Sequence, residues 1–283
     1  MAPTVQDLVR EAVKLAEADD VDGLKRVLSE FQSAPREPAS HTSSDPMFDM
    51  QPALDAALRN ANVGAAGELL AHGCKPYSGA VSAALQSCKP ETGFNLASFE
   101  CLLAHGWDVN HSTGHLGDAL IMAIKYSLFP LAEFLLRNGA DPNRNESGAM
   151  FPTALGAACG SAEAPPDLVR LLLEKGADAR EGAALLAAAS AEGGRADVLE
   201  VLLQDGAGAA LINEVPAGGE YDRFLDEEYW GTPLHGAAAK GNAECVALLL
   251  AKGASKEIRN GAGRTPKETA EKHSHGECAR LLV

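Results

Sequence analysis

Aromatic residues are scarce in this sequence, at 5%. A β-sandwich draws on aromatic and β-branched side chains, so that class of fold is disfavoured from the start. The six cysteines, Cys74, Cys88, Cys101, Cys159, Cys245 and Cys278, never adopt the short CxxC spacing of a zinc or redox site. Positive charge is also short. Lys and Arg number 24 against 39 Asp and Glu, for a formal charge of -15, which argues against nucleic acid or an anionic membrane as partner. No run approaches the roughly 18 apolar residues of a membrane span. The opening MAPTVQDLVREAVKL lacks the apolar centre of a signal peptide. These absences lead us to expect an intracellular protein, cytoplasmic or nuclear, with no membrane insertion. Phosphate-binding GxxxxGK, the nucleophile elbow GxSxG and the zinc motif HExxH are missing too, so neither catalysis nor a cofactor is expected.

What the chain has in quantity is alanine, 51 of 283 residues. Small apolar side chains in that number suit helices packed at close approach. A second abundance is periodic. Leu69-Leu70-Ala71-His72-Gly73 recurs as Leu102-Leu103-Ala104-His105-Gly106 and as Leu135-Leu136-Arg137-Asn138-Gly139. Further copies end at Gly176, Gly206 and Gly253, and the intervals between successive glycines are 33, 33, 37, 30 and 47 residues. Each copy follows an Ala- and Leu-rich anchor by 19 or 21 residues, counted from Leu54, Leu85, Leu120, Leu155, Leu185 and Leu234 to the glycine. The two-residue alternation predicts a loop of variable length between two short helices. The second helix is expected to end on its buried Leu pair and to stop at a left-handed glycine. Neither helix is long enough to be stable alone, so only stacking of neighbouring units would give a core.

The unit TPLHGAAAKGNAECVALLLAKGA at 232–254 closely resembles the ankyrin repeat, and Arg259 to Pro266 resembles the turn leading into another copy. The resemblance implies an all-α solenoid of stacked helix pairs with projecting β-turn fingers, about eight units including degenerate caps. It also implies function through protein binding at a concave face and finger edge. His235 is then structural, bridging turns by hydrogen bonds. Organisation follows as a degenerate N-terminal helix pair at 1–32, a Pro/Ser-rich linker at 33–50, and a repeat domain at 51–283 with a long acidic and aromatic insert at 207–231.

Candidate contact residues come from two places. The fingers supply Trp107, Asp108, Asn110 and His111, then Asp141, Asn143 and Arg144. Trp107 stands where other copies carry Ala140, Ala177, Ala207 and Ala254, which favours packing over display. The insert supplies Tyr221, Phe224, Asp226, Glu227, Glu228 and Tyr229, where aromatic anchors sit among carboxylates suited to a basic partner surface. The expected partner is therefore a protein, with a basic surface as the chemistry the insert favours, and the chain itself is expected to be a monomer. A scaffold or adaptor is the leading reading; a regulatory or inhibitory subunit of a partner enzyme is the second. His273, His275 and Cys278 form an HxHxxC cluster without an obvious fourth ligand, so no metal is expected there.

Overall fold

The computed structural model describes residues 3–34, 47–88, 94–111, 118–144, 153–180, 183–204, 206–216 and 231–283. Those residues contain helices and turns and no β-strand. The chain divides into two compact units, Met1–Gly114 and His115–Val283. In the first unit, α1 (Val5–Glu17) pairs with α2 (Val21–Ser33), α3 (Gln51–Arg59) with α4 (Val63–Ala71), and α5 (Ser78–Ser87) with α6 (Leu96–Ala104). First helices pack in one row, α1 on α3 on α5, and second helices in another, α2 on α4 on α6.

The second unit repeats this design. Its pairs are α7 (Ala119–Lys125) with α8 (Phe129–Arg137), α9 (Ala154–Gly160) with α10 (Pro166–Glu174), and α11 (Ala184–Ser190) with α12 (Ala196–Gln204). After a short helix α13 (Gly206–Ala210) come α14 (Pro233–Lys240) with α15 (Ala243–Ala251) and α16 (Pro266–Lys272) with α17 (Gly276–Leu281). The row of first helices runs α7, α9, α11, α14, α16, and the row of second helices runs α8, α10, α12, α15, α17. Each unit is thus an all-α stack of helix pairs, a solenoid in which every pair meets only its neighbours.

Alanine explains the close rows. A Cβ placed on Gly236 of α14 would lie 2.6 Å from a methyl of Leu186 of α11, which would have to shift to admit it. The Leu pairs behave asymmetrically. The first member, Leu69, Leu102, Leu135, Leu172, Leu202 or Leu249, is fully buried in every copy. Burying such a side chain is worth about 1.5–3 kcal/mol. The second member is buried in some copies, but Leu103, Leu173 and Leu250 are only half-buried, so the expectation that both face the core holds for part of the set. Gly73, Gly106, Gly139, Gly176 and Gly253 take left-handed φ between 85° and 105° and end their helices as expected. Gly206 does not: it opens α13.

The variable loop lies where the spacing placed it. Residues 60–62, 126–128 and 273–275 join their two helices in three-residue turns, whereas 161–165 and 191–195 use five. The short turns force their middle residue left-handed, at Ala61, Ser127 and Ser274.

Polar staples join neighbouring pairs at the residue just before the second helix. Asn62 Nδ2 donates to the carbonyls of Ala16 (2.8 Å) and Glu17 (2.9 Å), tying α4 to the end of α1. Asn242 Nδ2 donates to Ala189 (2.8 Å) and Ala191 (2.9 Å), and His275 Nε2 donates to Ala239 (3.1 Å). Arg195 fills the same role with a buried guanidinium that donates to the carbonyls of Ser161 and Ala164 and pairs with Asp197 at 2.9 Å. These bonds give carbonyls at helix ends and in the connecting turns a side-chain donor from the neighbouring pair.

Of the linker at 33–50, residues 35–46 lie outside the described residues; Met47 and Met50 are buried, with Phe48–Met50 forming a turn of 3-10 helix. No helix among the described residues is long and apolar enough to cross a membrane.

Candidate functional site

The fingers begin at the glycine that ends each second helix, and a short polar side chain two residues later shapes them. Asp108, Asp141 and Asp178 each accept, through Oδ1, the backbone N–H two residues on, at Asn110, Asn143 and Arg180, all at 2.9 Å. Ser255 Oγ does the same for the Glu257 N–H at 3.3 Å. In these Asx and Ser turns a side-chain oxygen takes the part of the backbone carbonyl of a turn. The Asp108 and Asp141 side chains, candidate contacts from the sequence, therefore hold their own loops in shape while staying exposed.

Two fingers are also fastened to the next. Asn143 Nδ2 donates to the Gly176 carbonyl at 2.7 Å, and its Oδ1 accepts the Asp178 N–H at 2.8 Å. Asn213 repeats the clamp: its Oδ1 accepts the Ser255 N–H at 2.7 Å and its Nδ2 reaches the Gly253 carbonyl at 3.4 Å. The stretch before Asn213 is longer than in other copies, and α13 absorbs the difference. A Cβ on Gly208 would lie 2.0 Å from the Leu202 carbonyl oxygen, so glycine is required for the chain to fold back there. Leu211 and Ile212 are buried. The early part of the insert is thus a short helix followed by the same clamp as at Asn143.

The remaining candidates separate by burial. Trp107 is 4% exposed and its ring centroid lies 5.9 Å from that of Phe99, tilted at 52°. Its buried indole N–H meets no acceptor among the described residues. Packing is therefore what the structure assigns to this ring. His111 is exposed and Asn110 half-buried. Arg144 is half-buried, with Nε 3.6 Å from the buried Asp118 carboxylate at the start of α7. The two candidate fingers belong to different units, 107–111 to the first and 141–144 to the second. Tyr221, Phe224, Asp226, Glu227, Glu228 and Tyr229 lie outside the described residues.

His235 is built into the frame. Thr232 offers its N–H (3.2 Å) and hydroxyl (2.9 Å) to Nδ1, and Nε2 donates to the Arg264 carbonyl at 3.0 Å, joining this pair to the turn of the next. Burial pushes its pKa below the usual histidine range, which keeps the ring neutral and Nδ1 able to accept. Within the HxHxxC cluster, His273 and His275 stack at 6.3 Å while Cys278 is fully buried. No group of three or more His, Cys, Asp or Glu among the described residues could hold a metal ion. Burial also pushes the Cys159 thiol up to about 12 and the Cys245 thiol up to about 11, so neither is a thiolate at neutral pH.

The sequence reading missed the staples and clamps. The regular recurrence of Asp two residues after the glycine was a visible signal for the turns. The partners of Asn62, Asn143 and Asn213 lie 33 to 46 residues away and leave no local trace.

The family model described as ankyrin repeats in three copies matches residues 120–213 and 210–283. The chain is 46% identical over 73 residues to the probable E3 ubiquitin-protein ligase XBOS33 of Oryza sativa subsp. japonica, covering 26% of this chain and 14% of that protein. It is 37% identical over 59 residues to the human espin-like protein, covering 21% of this chain and 6% of that one. Protein glp-1 of Caenorhabditis elegans is 30% identical over 200 residues, covering 69% of this chain and 15% of glp-1. These matches span no more than 15% of the relatives' own lengths. The crystal structure of the human ASB11 ankyrin repeat domain aligns with a TM-score of 0.47 at 21% identity, over 96% of this chain and 97% of that one.

Proposed function

The chain belongs to the ankyrin-repeat family, whose fold is a non-catalytic interaction module, and on that premise we propose that it is a protein-binding scaffold acting through its first helices and finger edges. One observation carries this reading: exposed finger residues such as Asp108, His111 and Asp141 ride on turns held rigid by their own side chains. Loops fixed on a stiff frame are where recognition residues concentrate, because little ordering entropy remains to be lost on binding. We count about eight ankyrin-like units with capping ends, their fingers being the turns after Gly106, Gly139, Gly176 and Gly253. Tyr221, Phe224, Asp226, Glu227, Glu228 and Tyr229 of the insert contribute an acidic and aromatic contact for a basic surface. The working form is a monomer in the cytoplasm or nucleus, meeting protein partners and neither nucleic acid nor membrane.

The test is capture of partners by the full chain, followed by kinetics with two variants. The combined Asp226→Asn, Glu227→Gln and Glu228→Gln variant is expected to slow association and flatten its salt dependence. Paired His111→Ala and Asp141→Asn changes are expected to speed dissociation. Rates unchanged in both variants would end the reading. Assaying a captured enzyme with and without the chain separates a scaffold from an inhibitory subunit.

A further inference from the structure

Phe31, Phe99 and Trp107 are buried and Tyr126 is 53% exposed; Phe48 is 45% exposed. It stands just before α3, in T-shaped contact with Tyr77 just before α5, with ring centroids 6.1 Å apart and planes at 64°. One helical face further along α3 lies Asp55. Its Oδ1 accepts a hydrogen bond from Gln51 Nε2 at 3.2 Å, and no described side chain donates to Oδ2. That oxygen faces Gly79 of α5, where a Cβ would sit 3.3 Å from it. Burial holds the Asp55 carboxyl above its usual range, with Gln51 and Arg59 offsetting only part of the effect. A half-buried carboxylate therefore holds one side-chain donor and faces α5 two residues beyond Tyr77, whose half-buried ring meets the exposed Phe48, on a chain of net charge -15.

We infer that this edge of α3 and α5 receives an arginine side chain from a basic protein segment, with Phe48 and Tyr77 against the guanidinium and Asp55 as its counter-charge. The inference rests on the protein-binding reading above and names the chemistry of one contact. Ring faces attract cations, most strongly when water is excluded, and a planar guanidinium can stack and reach a carboxylate together. A lysine offers only a point charge, so arginine is the better occupant. Arg59, one turn beyond Asp55, acts on it only at long range and leaves Oδ2 open to a stronger donor.

The probe is a blocked heptapeptide of alternating glycine and arginine, titrated into the full chain and followed by amide NMR shifts. Saturable shifts centred on residues 48–59 and 77–82 are expected. Asp55→Asn and Phe48→Ala should each weaken binding about five-fold or more. The lysine heptapeptide should bind more weakly than the arginine one, and the citrulline version not at all. Both variants should keep the wild-type thermal midpoint, since one is isosteric and the other removes an exposed ring. Shifts scattered over every acidic surface, or equal affinity for wild type and both variants, would overturn the inference. A captured partner that ignores Asp55→Asn and Phe48→Ala overturns it too, and leaves the scaffold reading standing. A chain that captures no partner yet binds the arginine peptide here keeps this cation site and removes the scaffold reading.

Discussion

The helix pair α14–α15 and the pair α11–α12 occupy neighbouring places in one stack but are begun and ended by different means. The first starts with the Thr232 and His235 capping box and ends at left-handed Gly253 with the Ser255 turn. The second starts at Ala183, left-handed at φ 49° with no side-chain cap, and runs on through α13. Both nonetheless form, because Leu185, Ala188, Leu199 and Leu202 are buried against neighbours just as Leu234, Ala237, Val246 and Leu249 are. Stacking supplies what a missing cap would have supplied, and the local signals mainly determine how stable each pair is beyond that.

The strongest way to break the parallel is at Arg195, which ties α11–α12 to the preceding pair. Arg195→Ala leaves the Ser161 and Ala164 carbonyls without their donor, at a cost of about 1–3 kcal/mol each, while the Asp197 carboxylate it also frees is exposed to water. Denaturant unfolding should show it; a loss under about 1 kcal/mol would mean the guanidinium is replaceable by water.

Leu249→Ala comes next, at about 2–5 kcal/mol, because the side chain is fully buried. Leu250→Ala should cost clearly less, since that side chain is only half-buried. Equal losses at the two positions would contradict the asymmetry of the Leu pair.

A capped start differs from an uncapped one in its response to pH. Burial lowers the folded-state pKa of His235, so below about pH 6.5 the unfolded chain takes up a proton that the folded chain resists. This contribution to stability is complete above the unfolded pKa and declines as pH falls toward the folded one. His235→Gln should flatten stability between about pH 7 and 5 relative to wild type. An identical pH slope in the variant would show that His235 titrates freely.

The smallest change sharpens the comparison instead of breaking it. Ala183→Gly should stabilise α11 by about 0.5–1 kcal/mol, since glycine accepts the left-handed start without the steric cost that alanine bears. A destabilised variant would mean that the Ala183 methyl contributes more by packing than it costs in strain.

The repeat, the helix pairs and the stops at Gly73, Gly106, Gly139, Gly176 and Gly253 were legible because each is a local pattern that recurs. The stop expected at Gly206 was not found, since its LLxxG string is identical in kind and only the glycine-permitted fold-back at Gly208 distinguishes it. Among the candidate contacts, the sequence already favoured packing for Trp107, whose ring lies near Phe99. The clamp made by Asn143 was not legible, because a finger asparagine looks the same whether its amide meets a partner protein or the Gly176 carbonyl.

Period, composition and glycine placement by themselves determined that this chain forms short helices in pairs that must stack to be stable. Those properties depend on backbone conformation and on apolar spacing within one turn or one repeat, both of which are written locally. Tertiary structure alone decided which polar groups hold neighbouring pairs together, from Asn62 on the carbonyls of Ala16 and Glu17 to Arg195 on Ser161 and Ala164. It also decided that Phe48 and Tyr77 meet and that Asp55 faces Gly79. A hydrogen bond or ring contact between residues dozens of positions apart depends on the register of stacking, which appears only once the rows of helices have packed.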